Sequence, residues 1–120
     1  MQSAAQAYGT VAKQTASPRE LEADLLLRAA ARLQSAKDSW ETEGTQLNDA
    51  LLYNRKLWSI FLSSVTSAEH PLPAAVRQNV ANLGIFVMNQ TMALMTDPKP
   101  TQLSSLININ RELAMGLRGR

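Results

Sequence analysis

Apolar residues recur at three- and four-residue intervals along most of this chain, and prolines and glycines cut that pattern into five stretches. The first, residues 3–14, carries Gly9 in its middle and reads as a short N-terminal helix. The second has the clearest start. Ser17 suits an N-cap, Pro18 suits the first helical position, and Glu20, three residues after the cap, completes a capping box. This helix is expected to run from Pro18 to about Trp40. Gly44 interrupts the pattern, and a third helix is expected from about Thr45 to Thr66. Pro71 and Pro73 then impose a turn, because proline inside a helix removes a backbone bond and clashes with the preceding turn. A fourth helix spans about Ala74 to Met95. Asp97-Pro98-Lys99-Pro100 breaks the chain again, and a last helix, about Thr101 to Leu117, frays at Gly116 into the basic tail Arg118-Gly119-Arg120.

Stepping each helix at 100° per residue shows which faces ask for burial. On the second, Leu25, Leu26, Ala29, Leu33, Ala36 and Trp40 share one side; Asp24, Arg28 and Arg32 lie opposite, with Asp24 and Arg28 spaced for a solvated i,i+4 pair. On the third, Leu47, Leu51, Trp58, Phe61, Leu62 and Val65 form a stripe with Asn54 in its middle. On the last, Leu103, Leu106, Ile107, Leu113, Ala114 and Leu117 face together, with Asn110 among them. An amide inside an apolar stripe must be hydrogen-bonded to be tolerated. Asn54 is therefore expected to be a buried structural residue that fixes helix register, the other reading being contact with a partner backbone. The fourth helix departs from this scheme. Val76, Val80, Leu83, Val87 and Leu94 make one face, and Ala81, Ile85, Met88, Met92 and Met95 lie nearly opposite; the side carrying Asn79, Asn82 and Asn89 is polar, interrupted by Phe86. A helix apolar on two sides is either central in its bundle or turned toward a partner. Methionine is unbranched and polarisable and adapts to varied surfaces, so Ile85, Met88, Met92 and Met95 are candidates for the floor of a partner groove, with core packing as the competing reading.

Composition narrows the class. The 17 Leu and 17 Ala against 5 Val and 4 Ile favour helix over strand. At 120 residues the chain is expected to form a single all-α domain over 1–120, a small bundle of four main helices plus the short N-terminal one. With no cysteine and one histidine, His70, no transition-metal site of usual ligands is expected, and no cofactor. No apolar run approaches 18 residues and no basic-then-apolar start resembles a signal peptide, so a cytoplasmic protein without a membrane span is expected.

Catalysis has little to work with. The carboxylates scatter over helix starts and loops, the small cluster Asp38, Glu41 and Glu43 sits at a helix end where solvated charges are common, and His70 reads as a surface group in a turn. There is no phosphate loop, nucleophile elbow or helical His pair, so the chain is not expected to be an enzyme. The pI near 9.3 accompanies a net charge of only +2. The basic groups (Arg28, Arg32 and Lys37; Arg55 and Lys56; Arg111, Arg118 and Arg120) lack interleaved aromatics that would stack bases, so RNA binding is weakly supported.

Three segments carry a resemblance: Thr15-Ala16-Ser17-Pro18-Arg19-Glu20-Leu21-Glu22, Leu51-Leu52-Tyr53-Asn54-Arg55-Lys56-Leu57-Trp58-Ser59-Ile60-Phe61, and Leu72-Pro73-Ala74-Ala75-Val76-Arg77-Gln78-Asn79-Val80-Ala81-Asn82-Leu83-Gly84. Their order and spacing, over about residues 4–95, resemble the FlaF family, small flagellar biosynthesis regulators of alpha-proteobacteria. The Tyr53-Asn54-Arg55-Lys56-Leu57-Trp58 run is the most specific part, with Ser17 and Pro18 in the opening motif. The Thr15-Ala16-Ser17-Pro18 opening is also similar to FliS-type flagellin chaperones, but the aromatic segment that follows it in that family is absent here. The FlaF resemblance implies a cytoplasmic export chaperone that binds flagellin and controls its synthesis alongside the regulator FlbT. The alternative is a post-transcriptional regulator touching flagellin mRNA directly.

Overall fold

The computed structural model describes residues 18–40, 44–67, 70 and 72–119. Four helices account for nearly all of them: α1 (Pro18–Asp38), α2 (Gly44–Val65), α3 (Ala74–Thr96) and α4 (Pro100–Gly119). No strand occurs among the described residues. Each boundary falls within two residues of the position that the proline and glycine breaks predict. The one departure inside an element is at Gly116, where α4 continues to Gly119 instead of fraying. The expected helix over 3–14 and the Ser17 cap lie outside the described residues, while Pro18 does open α1.

Short connections make sequential helices run antiparallel, and the chain goes up, down, up and down. The register between α1 and α4 is marked by Lys37 Nζ donating to Ser104 Oγ at 2.7 Å near one end and by the Asp24–Arg118 ion pair near the other. Asp24 thus pairs across helices with Arg118; the i,i+4 spacing to Arg28 predicted a different partner. Between α1 and α2, Gln46 Nε2 donates to Ser35 Oγ at 2.6 Å, and the Arg32 guanidinium lies 4.3 Å from the centre of the Tyr53 ring. The α1–α4 contact is the most extensive, α2–α3 and α1–α2 follow, and α3–α4 is the smallest of these four neighbouring contacts.

The central helix is α1. Leu21, Ala23, Leu25, Leu26, Ala29, Ala30, Leu33 and Ala36 are all buried on it, covering much more of its circumference than one stripe. Four of these are alanines, whose small side chains let two neighbouring backbones approach closely. By contrast α3 buries one narrow stripe: Val80, Gly84, Val87, Thr91 and Leu94. The helix with two apolar sides is therefore peripheral.

Two side-chain devices fasten α3 to α2. Arg77, in the first turn of α3, donates from Nε to Leu72 O at 3.1 Å and from Nη1 to Ser67 O at 2.9 Å and Val65 O at 3.5 Å. Its guanidinium thereby satisfies carbonyls at and beyond the C-terminal end of α2, where partial negative charge accumulates. Further along, Gly84 meets Leu62. A Cβ at position 84 would lie 2.8 Å from Leu62 Cγ, inside van der Waals contact. Gly84→Ala should therefore lower stability by about 1–3 kcal/mol through overpacking, against the roughly 1 kcal/mol that alanine gains in helix propensity. Urea unfolding checks this, and adding Leu62→Ala should make the second change cheaper than in the wild type.

Candidate functional site

From Gln78 to Thr96, α3 carries no charged residue. Most surface helices alternate charge with apolar positions; this one exposes apolar and amide groups only. Ile85 is 59% exposed and Met92 57%. Seven residues apart, they stand on one side, about 10 Å apart along the axis. Met88 and Met95, expected to join them on a groove floor, are half-buried and pack against the core, as does the α2 residue Leu62. The reason is the tight Gly84–Leu62 contact. It rotates the flank holding Ala81, Met88 and Met95 against α2 and leaves Ile85 and Met92 as the crest above it. The four-residue floor becomes two exposed residues flanked by two half-covered ones. On the polar side, between Asn79 and Asn82 on the helical wheel, Phe86 is 48% exposed, the interruption that the sequence pattern marks.

The motif residues of α2 are divided between core and surface. Trp58 is fully buried, its ring edge-to-face with Phe61 at 5.5 Å between centroids. Trp58 Nε1 donates to Asn110 Oδ1 at 2.9 Å, and Asn110 Nδ2 donates to Asn54 Oδ1 at 2.7 Å. All three are buried, so one polar chain crosses the bundle centre from α2 to α4 and back. Asn54 is the buried, hydrogen-bonded residue that its place in the stripe predicts, and Asn110 is its partner. The chain is one bond short, since Asn54 Nδ2 is buried with no partner. Tyr53 is half-buried beneath Arg32, while Arg55 and Lys56 are exposed. Two of the motif residues therefore build the core, and Leu57 packs beside Leu21 and Leu25.

At the end of the bundle where α1 begins, Glu22 is only 7% exposed, although its acidic side chain predicts a solvated face. Its Oε2 lies 3.8 Å from His70 Nε2. His70 is not the surface group expected of a turn histidine: its side chain is enclosed, and its Nδ1 accepts the Leu72 N–H at 3.2 Å. With Nδ1 accepting, the neutral ring carries its proton on Nε2, toward Glu22. Burial pushes the Glu22 carboxyl up to about 7, the cation of Arg19 opposing only part of that rise. Burial, then the cations of Arg77 and Arg19, hold His70 below its usual range. Both groups favour their neutral forms.

Among the described residues no group of three His, Cys, Asp or Glu side chains is placed to hold a metal, and no helix is long and apolar enough to cross a membrane. Asp38 of the expected acidic cluster accepts from Gln34 Nε2 at 2.9 Å; Glu41 and Glu43 lie outside the described residues. Several basic side chains are engaged inside the molecule: Arg32 on Tyr53, Lys37 on Ser104 and Arg118 on Asp24.

These features define an up-and-down four-helix bundle whose peripheral third helix keeps uncharged apolar surface in solvent. The chain belongs to the family of the flagellar protein FlaF, whose family model matches residues 4–117. It is thus a flagellar protein. The match begins where the resemblance does and extends past residue 95 through nearly all of α4. No curated protein and no solved structure matches the chain.

Proposed function

We propose that this protein is a cytoplasmic, non-enzymatic export chaperone that binds flagellin through the outer face of α3, and that its control of flagellin synthesis, with FlbT as co-regulator, runs through that complex. Membership of the FlaF family supports the flagellar setting. The observation that carries the docking face is the pair Ile85 and Met92, exposed two turns apart on a helix without charge from Gln78 to Thr96. An amphipathic client helix would lay its apolar face on that crest, with Met88 and Met95 adapting at its edge. Shielding such a client helix would keep flagellin from polymerising before export.

The test is the double substitution Ile85→Ser with Met92→Ser. Each side chain is already partly covered, so docking would bury the remainder for about 1–2 kcal/mol apiece. Flagellin affinity should fall by roughly thirtyfold or more, with the melting temperature unchanged. Unchanged affinity in the folded variant removes flagellin from this face. Binding should also vary little with salt. A steep loss of affinity with salt, together with RNase-sensitive recovery from cell extracts, would replace the reading with direct contact to flagellin mRNA.

A further inference from the structure

Arg55 and Lys56 belong to the most specific motif, yet both are exposed and take no part in the core that Asn54 and Trp58 build. Arg55 comes seven residues, two turns, before Leu62, so it stands on the same side of α2, the side against α3. The two helices run antiparallel and meet at Leu62 and Gly84, so two turns along α3 from Gly84 reach the level of Arg55 at Thr91. Thr91 is buried, and the next residue, Met92, is one end of the exposed crest. Arg55 therefore flanks Met92 across the α2–α3 boundary. Lys56 does not: it lies 100° further round α2, away from α3.

Nothing on this boundary balances that cation. Beyond Arg55 the same side of α2 continues with Ser59 and, just past the helix, Thr66, both exposed and uncharged. At the far end Arg77 commits its guanidinium to the carbonyls of Leu72, Val65 and Ser67. None of the ion pairs among the described residues involves Arg55. Asp49 stands about 120° away round α2, and Asp97 pairs with Lys99 at 3.6 Å. The apolar crest is thus bordered at its Met92 end by one cation for which the described residues supply no carboxylate.

We propose that the client helix seated on Ile85 and Met92 is acidic beside its apolar stripe, and that Arg55 receives its carboxylate. This rests on the docking of a client on α3 and adds the charge that the face selects. Client anchors spaced seven residues apart would meet Ile85 and Met92, and a Glu or Asp three or four residues from the anchor at the Met92 end would reach Arg55. The planar guanidinium suits a carboxylate, since it can hold both oxygens at once. An exposed pair at the rim acts on partner choice and association rate more than on affinity, and a single pair leaves the salt dependence shallow. One cation is too few for a phosphate backbone, which takes several such contacts.

The test titrates purified flagellin monomer into the full-length chain carrying Arg55→Glu, Arg55→Gln or Lys56→Glu. Arg55→Glu turns attraction at the rim into repulsion and should lower affinity roughly tenfold; Arg55→Gln only removes the attraction and should lower it about threefold. Lys56→Glu makes the same charge change on the side away from α3 and should stay within about twofold of the wild type. All three are surface substitutions, so melting temperatures should not move. Equal losses in Arg55→Glu and Lys56→Glu would overturn the proposal in favour of a diffuse charge effect. Wild-type affinity in Arg55→Glu, with Ile85→Ser and Met92→Ser together still weakening binding, would remove the acidic partner and leave the docking face standing. Wild-type affinity in both variants, or no binding by the wild type, would remove the two together. A wild-type dimer that Ile85→Ser with Met92→Ser converts to monomer would place a second copy on the crest and overturn the proposal.

Discussion

Replacing Asn110 by alanine is expected to cost about 3–5 kcal/mol, although the residue is one uncharged amide on the last helix. The substitution strips the acceptor from Trp58 Nε1 and the donor from Asn54 Oδ1 together, and both remain buried. Each such orphaned group costs about 1–3 kcal/mol, and the deleted atoms add a small cavity. In a domain of this size the melting temperature should drop by more than about 10 °C. Asn54→Ala should cost less, about 1–2 kcal/mol. It orphans Asn110 Nδ2 but also removes Asn54 Nδ2, which already lacks a partner, so the count of unsatisfied donors does not rise. Urea titration of the two variants checks the order. Equal losses would mean that the bonds to Asn110 contribute little beyond packing.

Removing the charge at Glu22 should change how stability depends on pH. The folded carboxyl titrates at about 7 in place of its ordinary 4.5. Below the unfolded value the acid is protonated in both states and folding incurs no charging cost. Between 4.5 and about 7 the unfolded chain gives up its proton and the folded one keeps it, so stability falls as pH rises, and above 7 the loss is complete. The loss amounts to about 3 kcal/mol at most. His70 acts in the opposite sense: its folded value is lowered from 6.5, so its contribution is present above that pH and is lost as pH falls. Glu22→Gln should be more stable than the wild type at pH 8 and about equal to it near pH 4. Its remaining dependence through pH 6.5 should slope upward, as His70 alone predicts. Chemical denaturation from pH 4 to 8 measures both. A difference between the two proteins that stays flat across that range would show that Glu22 ionises in the folded state as it does in water.

Much of the bundle was legible because helix signals are local. The breaks at Gly44, Pro71, Pro73, Pro98 and Pro100 act on the backbone within a turn or two, so they locate the ends of α1 through α4 without knowledge of any neighbour. The stripes of α2 and α4 were readable for a related reason: each helix buries one side, and periodicity alone identifies it. Asn54 and Asn110 each stood out as an amide in such a stripe. That they satisfy each other, and that Trp58 completes the chain, depends on the distance between two diagonal helices, which a periodic pattern does not contain.

The Met-rich helix marks the limit of that reading. Two apolar sides on α3 are compatible with a central helix or with a docking face, because amphipathicity tells how much apolar surface exists and not what lies opposite it. Packing decided. The alanines of α1 let that helix take the centre, the absent side chain at Gly84 drew α3 onto Leu62, and this rotation half-covered Met88 and Met95 while lifting Ile85 and Met92 into solvent. His70 was read as a surface group, and the burial of Glu22 was not visible, for the same reason. Each is polar by itself, and only the meeting of the start of α1 with the α2–α3 connection, 48 positions apart in the chain, removes both from water. The sequence by itself determined where this protein is helical, which amides must find partners and that one helix has more apolar surface than its own packing needs. The tertiary structure alone decided which partners those are and which of that surplus remains exposed, since both depend on neighbours brought together by the whole chain.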